Sequence, residues 1–381
     1  MKKNYDIVIV GAGAAGLLCA GLLASSASVI VFDKNNRIGK KLHATGNGRC
    51  NFTNLQMDTS HFYVEEKKWL DSLLKRYTPE KIIEQFGHLG VLSRQRDGYL
   101  YPHTNQASTL VDALISFCQK RGVEFVTEAR VKAVYKDGAD YVVNTTQGDV
   151  LSQYVVLATG GRAQEELGGS NFGYKLAKNL GHKINPLFPG LTGLKCAGDF
   201  WKNVAGTRVQ GQFSYRIDHR FHSGEKGEIQ IVKDGVSGIP VFQECRTIAK
   251  ALSEDKLVEG IIDFVPQMNN LELSEWITLY GIDGLVQKKW IPVLSKKPAL
   301  ENVLKGFKFR ILDTFGIDRA QVTAGGVPLS EVDAITMESK ISKNIYLVGE
   351  ILDVDGKCGG YNLQWAWTSG FIAGTYAAVE K

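Results

Sequence analysis

Tyr5-Asp6-Ile7-Val8-Ile9-Val10-Gly11-Ala12-Gly13-Ala14-Ala15-Gly16-Leu17-Leu18-Cys19-Ala20-Gly21-Leu22-Leu23-Ala24 opens the chain, and its three textures decide the fold. An apolar strand runs into a glycine turn and then into an apolar helix without a gap. In that context Gly11 permits the tight turn, Gly13 lets backbone approach a pyrophosphate with no side chain in the way, and Gly16 lets the helix lie close on the strand. The first helical turn, at Ala14, Ala15 and Gly16, has N–H groups without helical partners, and with the helix dipole they face the phosphates.

A lone G-x-G-x-x-G is a weak signal, so its surroundings matter. A second strand, Ser28-Val29-Ile30-Val31-Phe32, ends in Asp33, 22 residues after Gly11, where a ribose-binding carboxylate is expected. An acid there suits an adenosine ribose with a free 2′-OH, as in FAD or NAD, rather than the 2′-phosphate of NADP. The fold class that follows is α/β with a Rossmann-like dinucleotide-binding domain.

At 381 residues the chain exceeds what one hydrophobic core serves, so two or more domains are expected. Apolar content of 44% and charged content of 22% are those of an ordinary globular protein. A net charge of +5 is mild, and without a dense Lys/Arg run or a basic stripe interleaved with aromatics no nucleic-acid partner is expected. Lys2 and Lys3 before an apolar run imitate a secretory leader, but Asp6 and the ordered glycines argue against one, and no stretch reaches the roughly 18 apolar residues of a membrane span. Six cysteines lie scattered with no C-x-x-C pair, which points to neither a metal site nor a disulfide framework. A reduced, cytoplasmic protein with no membrane association is expected; composition leaves the oligomeric state open.

Residues 34–54 read as one long polar loop punctuated by glycine, where an α/β unit normally keeps its connection short. Such loops are commonly functional. Its cations Lys34, Lys40 and Lys41, and the backbone donors of Thr45-Gly46-Asn47-Gly48-Arg49-Cys50-Asn51, suit a diphosphate and the polar edge of a flavin.

These motifs carry a resemblance. Arg37-Ile38-Gly39-Lys40-Lys41 followed by Thr45-Gly46-Asn47-Gly48-Arg49-Cys50-Asn51 resembles the HI0933-like family of bacterial FAD-dependent flavoproteins, which includes bile-acid dehydroxylation flavoproteins and aminoacetone-oxidase-like enzymes. The resemblance continues at Leu157-Ala158-Thr159-Gly160-Gly161, through Gly173-Tyr174-Lys175-Leu176-Ala177-Lys178-Asn179-Leu180-Gly181-His182, at Thr323-Ala324-Gly325-Gly326-Val327, and from Gly349-Glu350 to Gly359-Gly360-Tyr361-Asn362. It implies a GR2-type FAD-binding domain with an inserted β-barrel that carries a small helical subdomain. It also implies noncovalent FAD, with Val131 offering backbone groups to the adenine and Thr159, Gly160 and Gly161 forming a turn near the cofactor. The departure is Ile231-Val232-Lys233-Asp234, where many relatives have a Phe-Thr-His-like stretch.

The rest of the chain fits that plan. Residues 123–158 read as a strand and an antiparallel meander with turns at Lys136-Asp137-Gly138 and Gln147-Gly148-Asp149. Near residue 188 the texture changes from βα units to alternating strands, which places a boundary there. The expected division is a discontinuous FAD-binding domain of residues 1–187 and 324–381, a β-barrel insert of residues 188–240 and 310–323, and a helical subdomain of residues 241–309. Gly349-Glu350 replaces the Gly-Asp usual in FAD proteins, and Gly359, Gly360, Tyr361, Asn362 and Leu363 start a second apolar helix able to hold the flavin's pyrimidine edge and tune its redox chemistry. Trp365 and Trp367 read as packing.

The function expected is two-electron transfer between a small organic substrate and FAD, as an amine or aminoketone oxidase or an enoyl-type reductase. The alternative is a non-catalytic flavin-binding redox sensor or accessory protein. Candidate catalytic groups are Arg49 as an electrostatic partner and Tyr101 or His103 as proton donors. The only later candidate for a second G-x-G-x-x-G, Gly168-Gly169-Ser170-Asn171-Phe172-Gly173, has the wrong spacing and no preceding strand, so NAD(P)H is not assigned as the reductant.

Overall fold

The computed structural model describes residues 3–377. The chain forms two compact units, one running up to Leu187 and resuming at Val322, the other spanning Phe188–Gln321. Each has its own apolar core.

In the first unit a parallel sheet runs in the order Glu124–Val126, Val29–Phe32, Lys3–Val10, Gly148–Leu157. The strands Lys3–Val10 and Val29–Phe32 are apolar on both faces toward their C-terminal ends, as strands covered by helices must be. Strand Gly148–Leu157 divides its pairing. Residues Gly148 to Ser152 continue the antiparallel meander with Asp140–Thr145 and Val131–Asp137, while Val155 to Leu157 pair in parallel with Ile345–Leu347. The return of the chain at residue 345 thus completes the sheet begun at residue 3.

Helices Ala14–Leu23 and Tyr361–Tyr376 pack on each other through missing side chains. A Cβ at Gly370 would lie 2.5 Å from the Ala15 carbonyl oxygen, and one at Gly374 would lie 2.9 Å from Leu22 Cβ. Both helices are largely buried, so their glycines set the approach distance rather than mark flexibility. That approach brings the two helix starts, at Gly13 and Gly360, into one unit with the sheet's C-terminal edge.

The expectation of one long loop over residues 34–54 is corrected by the structure. A helix, Lys40–Gly48, begins after Gly39 in the left-handed region, and its regular part ends where Thr45, Gly46 and Asn47 leave helical geometry. Polar side chains and two internal glycines hid it from apolar periodicity, because only Leu42 in it is buried.

The second unit is a closed antiparallel barrel. Strands Arg208–Ile217, Lys226–Val232, Gly235–Ser237, Leu194–Cys196, Phe307–Thr314 and Val258–Asp263 follow one another, and the last pairs back onto the first through Gln212↔Asp263 to Ile217↔Val258. Strand Arg208–Ile217 achieves this by pairing with Lys226–Val232 up to Gln212 and with Val258–Asp263 from Gln212 onward. Helix Ile239–Ser253 buries Val241, Cys245 and Ile248 in this unit. Helices Asn270–Tyr280, Ile291–Leu294 and Leu300–Lys305 fall between two barrel strands in the chain, and the first starts with a capping box between Asn269 and Glu272.

Candidate functional site

Two helix starts in the first unit are glycines without a side-chain cap that stand at the ends of the quoted glycine motifs, Gly13 and Gly360. At the first, a Cβ on Gly11 would strike the Ala158 carbonyl and a Cβ on Gly16 the Gly11 carbonyl, so both are closed in by their own chain. A Cβ on Gly13 would meet nothing within 4 Å. The space that only a glycine leaves open therefore lies directly before an uncapped helix, and it fits a diphosphate.

Asp33 stands beside that turn. Its Oδ2 accepts the Ala12 N–H at 2.8 Å, and its Oδ1 accepts Asn35 N–H at 2.8 Å and Asn35 Nδ2 at 2.9 Å. A carboxylate offers about four lone-pair positions, so three donors orient it and room remains for a ribose hydroxyl. The Asp33 backbone is held by Val126 and Ala129, which brings the start of the strand beginning at Val131 to the same place. Lys34 is half-buried with its ammonium 3.3 Å from the Gly169 carbonyl, and burial followed by the neighbouring Arg130 lowers its pKa. Arg130 was not expected; it sits one residue before Val131, and only the folded meander brings it to Lys34.

Around the second helix start the groups interlock. Lys41 Nζ lies 2.9 Å from Glu350 Oε2, and Glu350 Oε1 accepts the Thr323 N–H at 2.8 Å. Thr323 Oγ1 in turn accepts the N–H groups of Arg162 and Ala163, immediately after Thr159-Gly160-Gly161. A Cβ on Gly161 would collide with the Glu350 carboxylate, whereas one on Gly160 would meet nothing within 4 Å. Gly349 is pinned from both sides by the last helix: its N–H donates to Ser369 Oγ at 2.9 Å and its carbonyl accepts from Trp365 Nε1 at 3.1 Å. Trp365 and Trp367 are buried, as packing residues are, but their indole N–H groups fix Gly349 and Phe52.

The helix start itself is held by side-chain amides. Asn54 Nδ2 donates to the Gly359 carbonyl at 3.0 Å, and Asn51 Nδ2, in the orientation that satisfies it, donates to Leu100 and Thr53 carbonyls. Asn362 accepts the Gly356 N–H through Oδ1 and donates to the Gly356 carbonyl through Nδ2, so its amide clamps its own loop. Tyr361 is buried, stacked on His61 at 4.5 Å. Leu363, partly buried, packs against the unit's core. These two residues, with Asn362, shape the helix start from behind.

In the turn after helix Lys40–Gly48, Gly46, Asn47, Gly48 and Arg49 are exposed while Cys50 is buried, with its thiol pushed up to about 12 by burial. Thr45 Oγ1 ties back to the Leu42 carbonyl at 2.7 Å. Tyr101, on the strand Tyr99–Pro102, is half-buried; burial raises its phenol, Arg96 and Arg49 pull it down, and Cys358 pushes it up. Arg49 and Cys358 are thus each within electrostatic reach of Tyr101. His103 is exposed. Cys358 was unmarked in the sequence, yet it is the one cysteine of the six that is not buried.

With this geometry in place, the whole chain can be compared with known proteins. It matches the HI0933-like protein Rossmann domain over residues 5–376. The chain belongs to the HI0933-like family. A similar curated protein is the 3-dehydro-bile acid delta(4,6)-reductase of Clostridium scindens, 36% identical over 98% of this chain and 98% of that one. Another is the ribosomal RNA dihydrouridine synthase of Haemophilus influenzae, 30% identical over 97% of this chain and 98% of that one. Among solved structures, a 3-ketosteroid-delta4-(5alpha)-dehydrogenase from Rhodococcus jostii covers 99% of this HI0933-like chain and 97% of its own at a TM-score of 0.53 and 15% identity, which is a likeness of fold. This is a Rossmann-type flavoprotein family with oxidoreductase relatives. Among the described residues no helix is long and apolar enough to cross a membrane.

Proposed function

We propose that this HI0933-like protein is an FAD-dependent oxidoreductase that saturates a carbon–carbon double bond conjugated to a carbonyl. The observation that carries the reading is the pair of full-length relatives. One is named for reducing a 3-dehydro-bile acid at delta(4,6), the other for making dihydrouridine in ribosomal RNA. An oxo-diene of a steroid ring and the C5=C6 bond of uracil differ in size and setting, yet each is a double bond polarised by a carbonyl. What the relatives share is the bond and not the molecule.

FAD, when bound, supplies the two-electron hydride carrier. The protein's part is binding, orientation and proton supply. The open turn at Gly13, with Asp33, takes the dinucleotide half; the turn at Gly160, the pair Gly349 and Glu350, and the helix start at Gly360 take the flavin half. The dipole of helix Tyr361–Tyr376 favours negative charge at that end. Saturating a conjugated bond needs a hydride at one carbon and a proton at the other, and Tyr101 provides the proton from a phenol that burial keeps protonated. Arg49 supplies positive charge for the carbonyl oxygen as it gains electron density.

The test is reoxidation of the anaerobically reduced flavoprotein. A 3-oxo-4-ene steroid and a simple cyclic enone are expected to restore the oxidised visible spectrum with formation of the saturated ketone, and an isolated alkene is not. Reoxidation by oxygen but by no conjugated carbonyl sinks the reading.

A further inference from the structure

The second unit has an open cleft of about 590 Å³ whose rim carries Lys289, Lys296, Lys297 and Lys308 and whose floor includes Phe200 and Phe307. Nothing in the chemistry of the first unit uses it. The lysines come from three separate places: the residue before Trp290, the turn after helix Ile291–Leu294, and the strand Phe307–Thr314. Residues 284–308 hold six lysines against one acid, Glu301, so a local excess of five positive charges equals the net charge of the whole chain. No contiguous run announces this.

The cleft's chemistry narrows its ligand. Among its lining residues there is no arginine and no glycine, hence neither a bidentate fork nor a backbone nest for a terminal phosphate. Its cations are point charges on flexible stems, suited to singly charged phosphodiesters that pass by rather than to a compact polyphosphate gripped from all sides. Three of the lysines are already placed: Lys289 Nζ donates to the Ala205 carbonyl at 2.8 Å, Lys297 Nζ lies 5.4 Å from the centre of the Phe307 ring, and Lys308 Nζ lies 3.9 Å from Glu259 Oε1. Phe200 is partly buried and held by its neighbours, tilted on Trp201 at 4.5 Å and edge-on to Phe307 at 5.6 Å, and it lines the cleft beside the charges. Lysines around an aromatic platform are what a single strand of nucleic acid needs, phosphates on the rim and a base on the ring.

We propose that this cleft on the barrel unit binds single-stranded RNA, with the lysines on successive backbone phosphates and Phe200 under a base. The choice of RNA over DNA rests on the conjugated-bond reading above, because uracil is the base whose double bond that chemistry would saturate. A basic cleft assembled by folding displays no contiguous stripe in the sequence, and this proposal replaces the expectation of no nucleic-acid partner.

The experiment is fluorescence-anisotropy titration of the FAD-loaded protein with a labelled uridine-rich single-stranded RNA across a salt series. Binding that weakens with salt is expected, with a log–log slope of about −3, near −0.7 per phosphate for four contacts. The Lys296→Glu/Lys297→Glu variant should bind at least roughly 100-fold more weakly at low salt and with a shallower slope, while its flavin content and melting temperature stay at the parent values. Lys288→Ala, outside the cleft, should differ by no more than about twofold. No binding at low salt, an unaffected double variant, equal affinity for the same sequence in DNA, or displacement by stoichiometric ATP overturns the proposal, the last by marking the cleft as a mononucleotide site. Reoxidation by small enones is read separately: an RNA-free protein that still reduces enones refutes the cleft alone. RNA bound at the cleft by a protein that reduces no conjugated bond refutes the catalytic reading alone.

Discussion

Lys41 and Glu350 meet at 2.9 Å although 309 residues of chain separate them. The pair joins helix Lys40–Gly48 to the short turn Gly349–Ile351. Both side chains are mostly buried, 28% and 21% exposed, so the pair stands between a surface ion pair, worth about 0.2–1 kcal/mol, and a fully buried one, whose breakage costs about 3–5 kcal/mol. Glu350→Gln keeps an acceptor for the Thr323 N–H and removes only the charge. A double-mutant cycle with Lys41→Met is expected to give a coupling energy of about 1 kcal/mol by urea unfolding. Additive single effects would mean that the contact holds nothing together.

Gly13 and Gly16 separate cofactor space from packing space. Gly13→Ala places a methyl in the opening, so FAD affinity should fall tenfold or more, about 1.4 kcal/mol per tenfold, with the apoprotein's melting temperature nearly unchanged. Gly16→Ala drives its Cβ into the Gly11 carbonyl and should destabilise the apoprotein itself by about 1–3 kcal/mol. Comparing apo melting temperatures with FAD titrations of the two variants decides it. Equal loss of apo stability would place the phosphates elsewhere.

Asp33→Ala is expected to lower both FAD affinity and apo stability. Read from sequence, Asp33 serves the ribose alone; in the structure it also receives Ala12 and Asn35, and a hydrogen bond to a charged acceptor contributes about 1.5–3 kcal/mol. Urea unfolding of the apoprotein is the measurement. An apoprotein as stable as the parent would show that the glycine turn does not need its carboxylate.

The parts of this protein legible in its sequence are those whose signal is local. Strand, glycine turn, helix and acid follow one another from Tyr5 to Asp33, and each residue's role there depends on neighbours a few positions away. The barrel's alternation from Val209 to Ile217 was equally plain, because one face of each stave is buried. What stayed hidden depends on contacts across hundreds of residues. Glu350 could be marked as a flavin-end residue but not as the partner of Lys41, Thr53 gave no hint of its hydrogen bond to Gln364, and Asn362 could not be known to spend its amide on Gly356. The helix Lys40–Gly48 was missed because glycines and polar side chains erase the periodicity by which helices are read.

NADH and NADPH are expected to reduce the flavin slowly and with weak saturation. The later glycine run leads into helix Phe172–Asn179, but that helix start is filled by its own chain: Ser170 Oγ accepts the Phe172 N–H at 3.0 Å and Ser170 N donates to Gly161 at 3.0 Å. A Cβ on Gly169 would collide with the carbonyls of Arg162 and Ala163, the opposite of the opening at Gly13. Anaerobic rapid mixing would reveal a missed nucleotide site as fast reduction saturating at low concentrations of one nicotinamide cofactor.

Tyr101→Phe tests the proton donor. The phenol of Tyr101 is raised above its ordinary 10.0, first by burial, and the opposing pull of Arg96 and Arg49 does not reverse the direction. A donor with a raised pKa holds its proton throughout the neutral range and loses it only above the ordinary value, so the rate of enone saturation should be flat with pH up to about 10 and fall beyond it. Removing the hydroxyl should lower that rate by about 10²–10⁴-fold, the usual contribution of a positioned general acid, and should abolish the alkaline fall. FAD affinity and reduction of the flavin by dithionite should not change, because neither needs the phenol. Cys358→Ser serves as the control, since a loss of the alkaline limb there, with Tyr101→Phe retaining the parent rate and profile, would transfer the proton to the thiol and remove Tyr101 from the mechanism.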